Sequence, residues 1–141
     1  MSGMMRARIL AVASGLAAMG MATPGLAARP GAQTQVEVWR NGDDGVTLKL
    51  AEAVTSAFRE NDAFQISSGA RANSLMVVVQ SPTEAVRSGI HYKLVFPVRF
   101  TTVGSQTLGF TRVTCQENTL DTCADQVVNA AGPAAAKLGR R

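Results

Sequence analysis

The chain has 141 residues, of which 46% are hydrophobic and 17% are charged, and its formal net charge is +4 at pH 7. This balance argues against intrinsic disorder, and the length is that of one modest domain. Two cysteines and one histidine leave little material for a metal centre or a catalytic site, and so weak a positive charge does not by itself predict binding to nucleic acid or anionic lipid.

Residues 1–28 have the composition of a secretory signal peptide. A short basic start is followed by an apolar stretch from Ile9 to Ala22, and small residues close the segment at Ala27 and Ala28, where we predict cleavage. The signal predicts export to the periplasm or out of the cell. No apolar run in the remaining chain is long enough to cross a membrane. No cysteine stands at the cleavage site, so a bacterial lipid anchor is not expected.

After the signal, the composition predicts one folded domain with flexible ends. Residues 29–34 are expected to be a flexible lead-in, and residues 35–132 to form a single α+β domain. Residues 133–141 are expected to be a C-terminal tail, because the pair Gly132-Pro133 interrupts the last helical pattern.

Four elements are predicted in the first half of the domain. The segment from Gln35 to Arg40 alternates apolar and polar residues, which predicts a strand. From Val46 to Glu60 the apolar residues recur every three or four positions, which predicts an amphipathic helix that ends at a left-handed Asn61. Two further strands are predicted at Phe64–Ser67 and at the apolar, β-branched run Leu75–Val79.

The second half begins with a predicted polar loop, Ser81–Gly89. The clearest alternation of the chain follows from Ile90 to Thr101 and predicts a strand with one face on the core. A tight type II′ hairpin at Val103–Gln106 joins it to a strand from Gln106 to about Thr114, which carries Leu108 and Phe110. A final amphipathic helix is expected to begin near Thr119.

This order of elements predicts the fold class α+β. We expect a mainly antiparallel sheet of about five strands, with two amphipathic helices on one face. Pro97 lies inside the longest predicted strand and has no N–H donor, so we expect the strand to lie at an edge there or to be bulged.

The two cysteines predict a disulfide. Cys115 ends the last predicted strand, and Cys123 lies on the inner face of the last predicted helix. In an oxidising compartment, two cysteines of one small domain most simply pair, here closing a loop of roughly nine residues. The alternative is a pair of buried thiols. Even with the distant His91 the pair does not supply a metal site, so no metal and no cofactor are predicted.

No motif in the chain predicts catalysis. Gly-x-Ser-x-Gly, His-Glu-x-x-His and phosphate-binding glycine loops do not occur in the sequence. His91 is the only histidine, and the nearest carboxylate before it, Glu84, lies across a predicted loop. We therefore predict no catalytic residue and expect the chain not to be an enzyme.

The polar face of the strand Ile90–Thr101 is the predicted partner surface. It carries His91, Lys93 and Arg99, while the aromatic residues of the strand point the other way, so base stacking and nucleic-acid binding are not expected. Trp39 has the opposite parity from the valines of its strand and joins the candidate surface as a half-exposed aromatic residue. A solvated basic face and a Trp packed on a helix are the alternatives.

A strand, a helix and a helix-to-strand passage follow one another in the first half of the domain. Their residues are Val36 and Val38, then Leu50, Val54 and Phe58, then residues 61–66 and the run Leu75–Val79. Over residues 35–131 this order resembles the amino-terminal domain of the Tol–Pal propeller protein and the related domains of the curli-export lipoprotein and the penicillin-binding-protein activator lipoprotein. The chain departs from them in having no propeller, no cysteine for lipidation and an added cysteine pair. The resemblance implies a non-catalytic envelope module that docks on other proteins.

The sequence thus predicts an exported protein-interaction or assembly module of the bacterial cell envelope, with another envelope protein as partner. The contact is expected at the polar strand face or at a sheet edge that accepts another strand. Two alternatives stay open. One is a periplasmic binding protein that holds a small or anionic ligand with Lys93 and Arg99. The other is an enzyme whose carboxylate site the spacing does not reveal.

Overall fold

A computed structural model describes residues 33–67, 69 and 73–139. These residues belong to a unit that starts at Gln33. The predicted signal peptide, its cleavage site at Ala27 and Ala28, and most of the predicted lead-in lie outside the described residues. In chain order, the elements are β1 (Thr34–Asn41), α1 (Gly45–Arg59), β2 (Phe64–Ile66), β3 (Leu75–Gln80), β4 (Glu84–Ser88), β5 (His91–Thr101), β6 (Thr107–Gln116) and α2 (Leu120–Gly139).

The strands form one mixed sheet with the order β2-β1-β3-β5-β4, and β6 pairs with the other edge of β5. The α+β class, the two helices and a sheet of five to six strands are confirmed. The sheet is not antiparallel throughout, because β1 runs parallel to both β2 and β3. The reason is the crossover through α1, which returns the chain to the end of the sheet where β1 began. The later strands are joined by short turns and pair antiparallel.

One face of the sheet and the inner stripes of both helices contribute to a single hydrophobic core. Apolar residues three or four positions apart in α1 meet residues of β1, β2 and β3, as the two periodicities require. The largest fully buried side chains are Phe58, Phe96, Phe100, Leu50, Leu75, Val36, Val54, Val77, Val79, Val98, Val113 and Val127.

Asp44 caps the N-terminus of α1. Its carboxylate accepts hydrogen bonds from the Thr47 backbone N at 3.0 Å and the Thr47 Oγ1 at 2.6 Å, and the Ser81 Oγ donates to its other oxygen at 2.6 Å. The bond from Ser81 and those from Thr47 lower the pKa of Asp44 from 3.8 to about 2. A Cβ at Gly42 would overlap with the Ser81 Oγ, so a larger residue there would displace the hydroxyl that bonds Asp44.

Replacing Asp44 by alanine is expected to lower the free energy of unfolding at neutral pH by about 1 kcal/mol, because the first turn of α1 loses its acceptor. The pKa of Asp44 is lower in the folded chain, so its stabilisation is complete above about pH 4 and is lost as the pH falls towards 2. Urea titrations of both proteins at pH 7 and pH 2 measure the difference. An equal stability gap at both pH values would contradict this account.

Asn61 does not end α1 in a left-handed conformation, and that prediction is wrong. Among the described residues, Ser105 is the non-glycine residue with positive φ. The Asn61 backbone N instead donates to the Phe58 carbonyl at 3.1 Å, and its side-chain Oδ1 accepts from the Ala63 N at 2.8 Å. A side-chain turn therefore replaces the expected backbone conformation.

The segment predicted as the polar loop Ser81–Gly89 contains strand β4. All five residues of β4 are exposed, so no alternation of apolar residues marks it. The strand forms by pairing with the start of β5 through a two-residue turn, in which Gly89 has a φ of +66°. Ile90 lies in this turn and is 83% exposed, which corrects its predicted place on the core face.

The hairpin between β5 and β6 is not the predicted type II′ turn with Gly104 at the left-handed position. Thr102 N donates to the Gln106 carbonyl and Ser105 N to the Thr102 carbonyl, both at 2.9 Å, which encloses a three-residue loop. Ser105 has the positive φ, +73°. This is the position in such a loop that normally takes glycine.

Replacing Ser105 by glycine is expected to raise the free energy of unfolding by up to about 1 kcal/mol, because glycine has no Cβ to strain the left-handed conformation. Ser105→Ala is the matched control and should leave the stability unchanged, since alanine carries the same Cβ. Thermal unfolding of the three proteins measures both effects. A glycine variant no more stable than the alanine variant would contradict the argument.

Helix α2 continues through Pro133 to Gly139, so the predicted stop at residue 132 and the tail 133–141 are corrected as far as residue 139. Proline removes the N–H that would bond the Asn129 carbonyl, which weakens the helix at that turn. Burial offsets this loss, because Ala131 and Ala134 on either side of the proline are fully packed in the core and Leu138 also packs against it.

Pro97 lies at the point on β5 where one neighbouring strand stops pairing and the next begins. On one side it pairs in register with Arg112 of β6. On the other side, β4 pairs with β5 only as far as Val95 and β3 begins to pair at Val98. The missing N–H of proline therefore falls between two partner strands, where its loss disturbs neither.

Candidate functional site

The sheet face opposite the core, called the outer face here, carries all four residues of the predicted partner surface. The register places Trp39 beside Val78, Val78 beside Arg99 and Arg99 beside Phe110. One row of side chains therefore crosses β1, β3, β5 and β6. His91 and Lys93 lie further along β5 and share the parity of Arg99, so they belong to the same face.

Two large aromatic side chains of this row are exposed. Trp39 is 50% exposed and Phe110 is 52% exposed. The guanidinium carbon of Arg112 lies 5.4 Å from the centroid of the Phe110 ring, which is the distance of a cation–π contact. We call Trp39, Val78, Arg99, Phe110 and Arg112 the aromatic–arginine patch.

The structure does not bring Lys93 and Arg99 together. They are six residues apart on one extended strand, a distance of about 20 Å. Lys93 lies instead between Val86 of β4 and Gln116 of β6. The four predicted residues therefore divide into Trp39 and Arg99 within the patch, and His91 and Lys93 at the far end of the face.

His91 meets one carboxylate at that far end. Its Nδ1 lies 3.4 Å from Glu117 Oε2, and the same oxygen lies 3.4 Å from the Tyr92 backbone N. Both side chains of the His91–Glu117 pair are more than one third exposed, so solvent screens the interaction. Nothing in this geometry orients the imidazole towards a reacting group.

Phe110 and Arg112 are the residues that the sequence prediction missed. The prediction placed Phe110 in a strand together with Leu108, but an irregularity in the β5–β6 register separates the two, and Leu108 is buried while Phe110 faces outward. A signal was present in the sequence. Counting back in steps of two from the core residue Cys115 passes through Val113 and leaves positions 110 and 112 on the opposite face.

A groove of about 350 Å³ opens at the end of the patch. It has a mixed lining of apolar and polar side chains and lies between Trp39 and the β5–β6 turn. The lining residues are Trp39, Arg40, Asn41, Met76, Val78, Thr101, Thr102, Val103 and Ser105. Within the ranges that the structure describes, no three His, Cys, Asp or Glu side chains are placed to hold a metal ion.

A second open groove, of about 380 Å³, lies between β1 and α1. Arg40 and Arg59 line it together with Glu52. The carboxylate opposes part of the positive charge of the two arginines. The groove is therefore a weaker candidate for an anion site than two arginines alone would be.

Cys115 and Cys123 are joined by a disulfide, with an S–S distance of 2.03 Å and their Cα atoms 5.5 Å apart. The bond ties the end of β6 to the first turn of α2, and Cys123 is fully buried. It lies on the core side of the sheet, away from the patch.

No helix within residues 33–139, as far as they are described, is long and apolar enough to cross a membrane.

No known protein family matches this chain, and no curated protein sequence matches it significantly. Among solved structures, the chain is similar to a PelC dodecamer from Paraburkholderia phytofirmans, with a TM-score of 0.50 and 8% identity over 72% of this chain and 86% of that one. A minor lipoprotein from Acinetobacter baumannii has a TM-score of 0.48 and 8% identity, over 74% of this chain and 92% of that one. A DUF330-family protein from Xanthomonas campestris has a TM-score of 0.41 and 12% identity, over 79% and 85%. At 8% identity, the similarity to PelC is one of fold.

Proposed function

We propose that this protein is an exported, non-catalytic interaction module of the bacterial cell envelope, which binds another envelope protein through the aromatic–arginine patch. The observation that carries the proposal is the exposed row of Trp39, Arg99 and Phe110 on one sheet face. The predicted signal peptide supports a periplasmic or secreted location.

The residue types of the patch are those that dominate binding energy in protein interfaces. Tryptophan and arginine are enriched among the residues whose truncation weakens complexes most, because they combine a large apolar area with a polar group. In a domain with one tryptophan, half exposure of Trp39 leaves much of that area in water. A partner that covers Trp39 and Phe110 would recover it.

The predicted resemblance of residues 35–131 to the amino-terminal domain of the Tol–Pal propeller protein and its lipoprotein relatives implies docking on other envelope proteins, which agrees with this proposal. The fold similarity to PelC is compatible with it, and the PelC structure is itself described as a dodecamer. Both supports act at the level of fold.

The separation of Lys93 and Arg99 argues against the small-ligand alternative in its predicted form. A small molecule cannot bridge two side chains about 20 Å apart on one strand. A macromolecular partner can contact both ends of the outer face, since a typical interface buries about 800 Å² per partner. The protein-partner proposal is therefore the better fit to the geometry.

The test is crosslinking in intact cells, followed by capture of the tagged protein and identification of what is attached. We expect one envelope protein in near-stoichiometric amount with the unaltered chain. Trp39→Ala should weaken that complex by about 2 kcal/mol or more, roughly 30-fold in Kd once both proteins are purified. Arg99→Glu should weaken it at least as much, since it reverses a charge in the patch.

Each variant has a matched control outside the patch. Leu48, an exposed apolar residue of α1, serves for Trp39, and Arg87, an exposed residue of β4, serves for Arg99. Leu48→Ala and Arg87→Glu should leave the complex intact. Recovery of free monomer alone, or equal loss in the patch and control variants, would refute the proposal.

A further inference from the structure

Strand β6 forms an outer edge of the sheet, and its backbone groups alternate between β5 and the outside. The Thr114 backbone N and O both bond the Gln126 side chain rather than β5, so they point outward. Because these groups alternate along an antiparallel strand, the backbone N–H and C=O groups of Arg112 and Phe110 also point outward. Among the described residues, no hydrogen bond reaches the outward backbone groups of these two.

The edge is capped along only part of its length. Gln126 Nε2 donates to the Thr114 carbonyl at 2.9 Å, and its Oε1 accepts from the Thr114 N at 3.1 Å, as a neighbouring strand would do. The Gln116 N donates to the Thr119 Oγ1 at 3.2 Å. Proteins protect exposed edges in this way against unwanted pairing. The protection ends before Arg112.

The packing of α2 explains why the cap does not extend further. The helix runs antiparallel to β6, since Cys123 bonds Cys115 at one end and a Cβ at Gly109 would lie 3.7 Å from the Ala134 Cβ at the other. Four residues of helix advance about 6 Å and two residues of strand about 6.8 Å. Residue 130 of α2 therefore lies beside Arg112 in the same relative position in which Gln126 lies beside Thr114. The residue there is alanine, which has no group to form a cap.

We propose that the uncapped edge at Phe110 and Arg112 accepts an extended segment of the partner protein as an added strand. The inference rests on the proposed function and names the chemistry of the partner. The outward N–H and C=O groups of the two residues require another extended backbone. The same stretch carries Phe110 and Arg112 of the patch, with Arg99 one strand away.

Side chains on either side of the edge specify the segment further. On the outer face the added strand would meet two arginines, Arg112 and Arg99, so its residues there are acidic around an apolar or aromatic residue that packs on Phe110. On the inner face it would lie along Ala130 and the exposed Pro133, which leave room for a branched apolar side chain. The occupant is an acidic, alternating β-segment.

The probe is a synthetic peptide with free ends blocked and the sequence Thr-Glu-Val-Phe-Val-Glu-Thr, which places Glu, Phe and Glu on one face. Its affinity for the purified protein is measured by isothermal titration calorimetry, and the bound site by amide hydrogen exchange. We expect a Kd below 1 mM and slower hydrogen exchange at the Phe110 and Arg112 amides. A peptide with Lys in place of Glu should bind at least tenfold more weakly.

Two variants with opposite expected effects test the edge itself. Ala130→Gln places a second amide cap opposite Arg112 and should weaken peptide binding at least tenfold. Gln126→Ala uncaps Thr114 and should strengthen binding several-fold, with slowed exchange extending to the Thr114 amide. Ala136→Gln is the matched control on the exposed side of α2 beyond Ala134, and it should bind as the unaltered protein does.

The variants distinguish a failure of the edge proposal from a failure of the proposed function. If Ala130→Gln leaves both the peptide and the cellular complex unaffected while Trp39→Ala dissolves the complex, the partner uses side chains alone and the edge proposal is overturned. No peptide binding at 1 mM, even to the Gln126→Ala variant, overturns it as well. So does dimerisation that Ala130→Gln abolishes in the absence of peptide, because the edge would then hold a second copy.

Discussion

Replacing Phe58 by alanine is expected to lower the free energy of unfolding by about 4 kcal/mol, within the range of 3–5 kcal/mol found for buried phenylalanines. Phe58 is fully buried on the inner stripe of α1 and packs edge-to-face on Phe64 of β2, with ring centroids 4.9 Å apart. Truncation removes the ring from the core and leaves a cavity between helix and sheet. It also deprives Phe64 of its aromatic partner.

Equilibrium urea unfolding of the two proteins measures this loss, with the slope of the transition as a check that both unfold in one step. Phe58→Leu is the matched variant. It keeps most of the buried volume, so its loss should be much smaller. Domains of this size have a free energy of unfolding of only about 5–15 kcal/mol, so Phe58→Ala should remove a large fraction of it. A loss below 1 kcal/mol would mean that α1 does not dock on the sheet through this residue.

Removing the disulfide with the double substitution Cys115→Ala and Cys123→Ala is expected to lower the free energy of unfolding by about 2.5 kcal/mol. The bond spans a sequence separation of eight residues, and its main effect is to restrict the unfolded chain. Replacing the fully buried Cys123 by the smaller alanine removes atoms from the core and lowers the free energy of unfolding by a further, smaller amount.

The reductant dependence separates these two contributions. The unaltered protein should lose stability when dithiothreitol is added to the urea titration, whereas the double variant should respond to urea identically with and without it. A disulfide that contributed nothing would leave the unaltered protein insensitive to reductant. The comparison within one protein is thus independent of the packing change that the substitution makes.

The elements with a strong apolar period were predictable from the sequence. The α1 stripe through Leu50, Val54 and Phe58 lies in the core as expected, and so does the face of β5 from Leu94 onward. In these segments burial sets the periodicity, so the pattern of residues and the element carry the same information.

Elements held by backbone pairing or by tertiary packing were not predictable in the same way. Strand β4 is exposed throughout and leaves no apolar pattern, while α2 passes a proline because Ala134 is buried beyond it. The parallel pairing of β1 with β3 joins segments far apart in sequence, and no local signal encodes it. In each of these cases the deciding contact lies outside the segment.

The candidate surface was predicted in part. Parity alone was enough to place the four predicted residues on one face. It did not show that Lys93 and His91 lie at the far end of that face from Trp39 and Arg99. Phe110 and Arg112 could have been placed by parity from Val113 and Cys115, but grouping Phe110 with Leu108 concealed it, because a register irregularity in the β5–β6 pair separates those two residues. The capped and uncapped halves of the β6 edge depend on where α2 lies, and this required the three-dimensional arrangement.

The mixed sheet has a consequence for the order in which the domain folds. β4, β5 and β6 are linked by short turns, and they can assemble with α2 as soon as residues 84–139 are present. β1 must wait, because its pairs Thr34 with Phe64 and Val36 with Leu75 each close a loop of roughly 30 to 40 residues. We therefore expect residues 84–139 to become ordered before β1 pairs, although β1 is synthesised earlier.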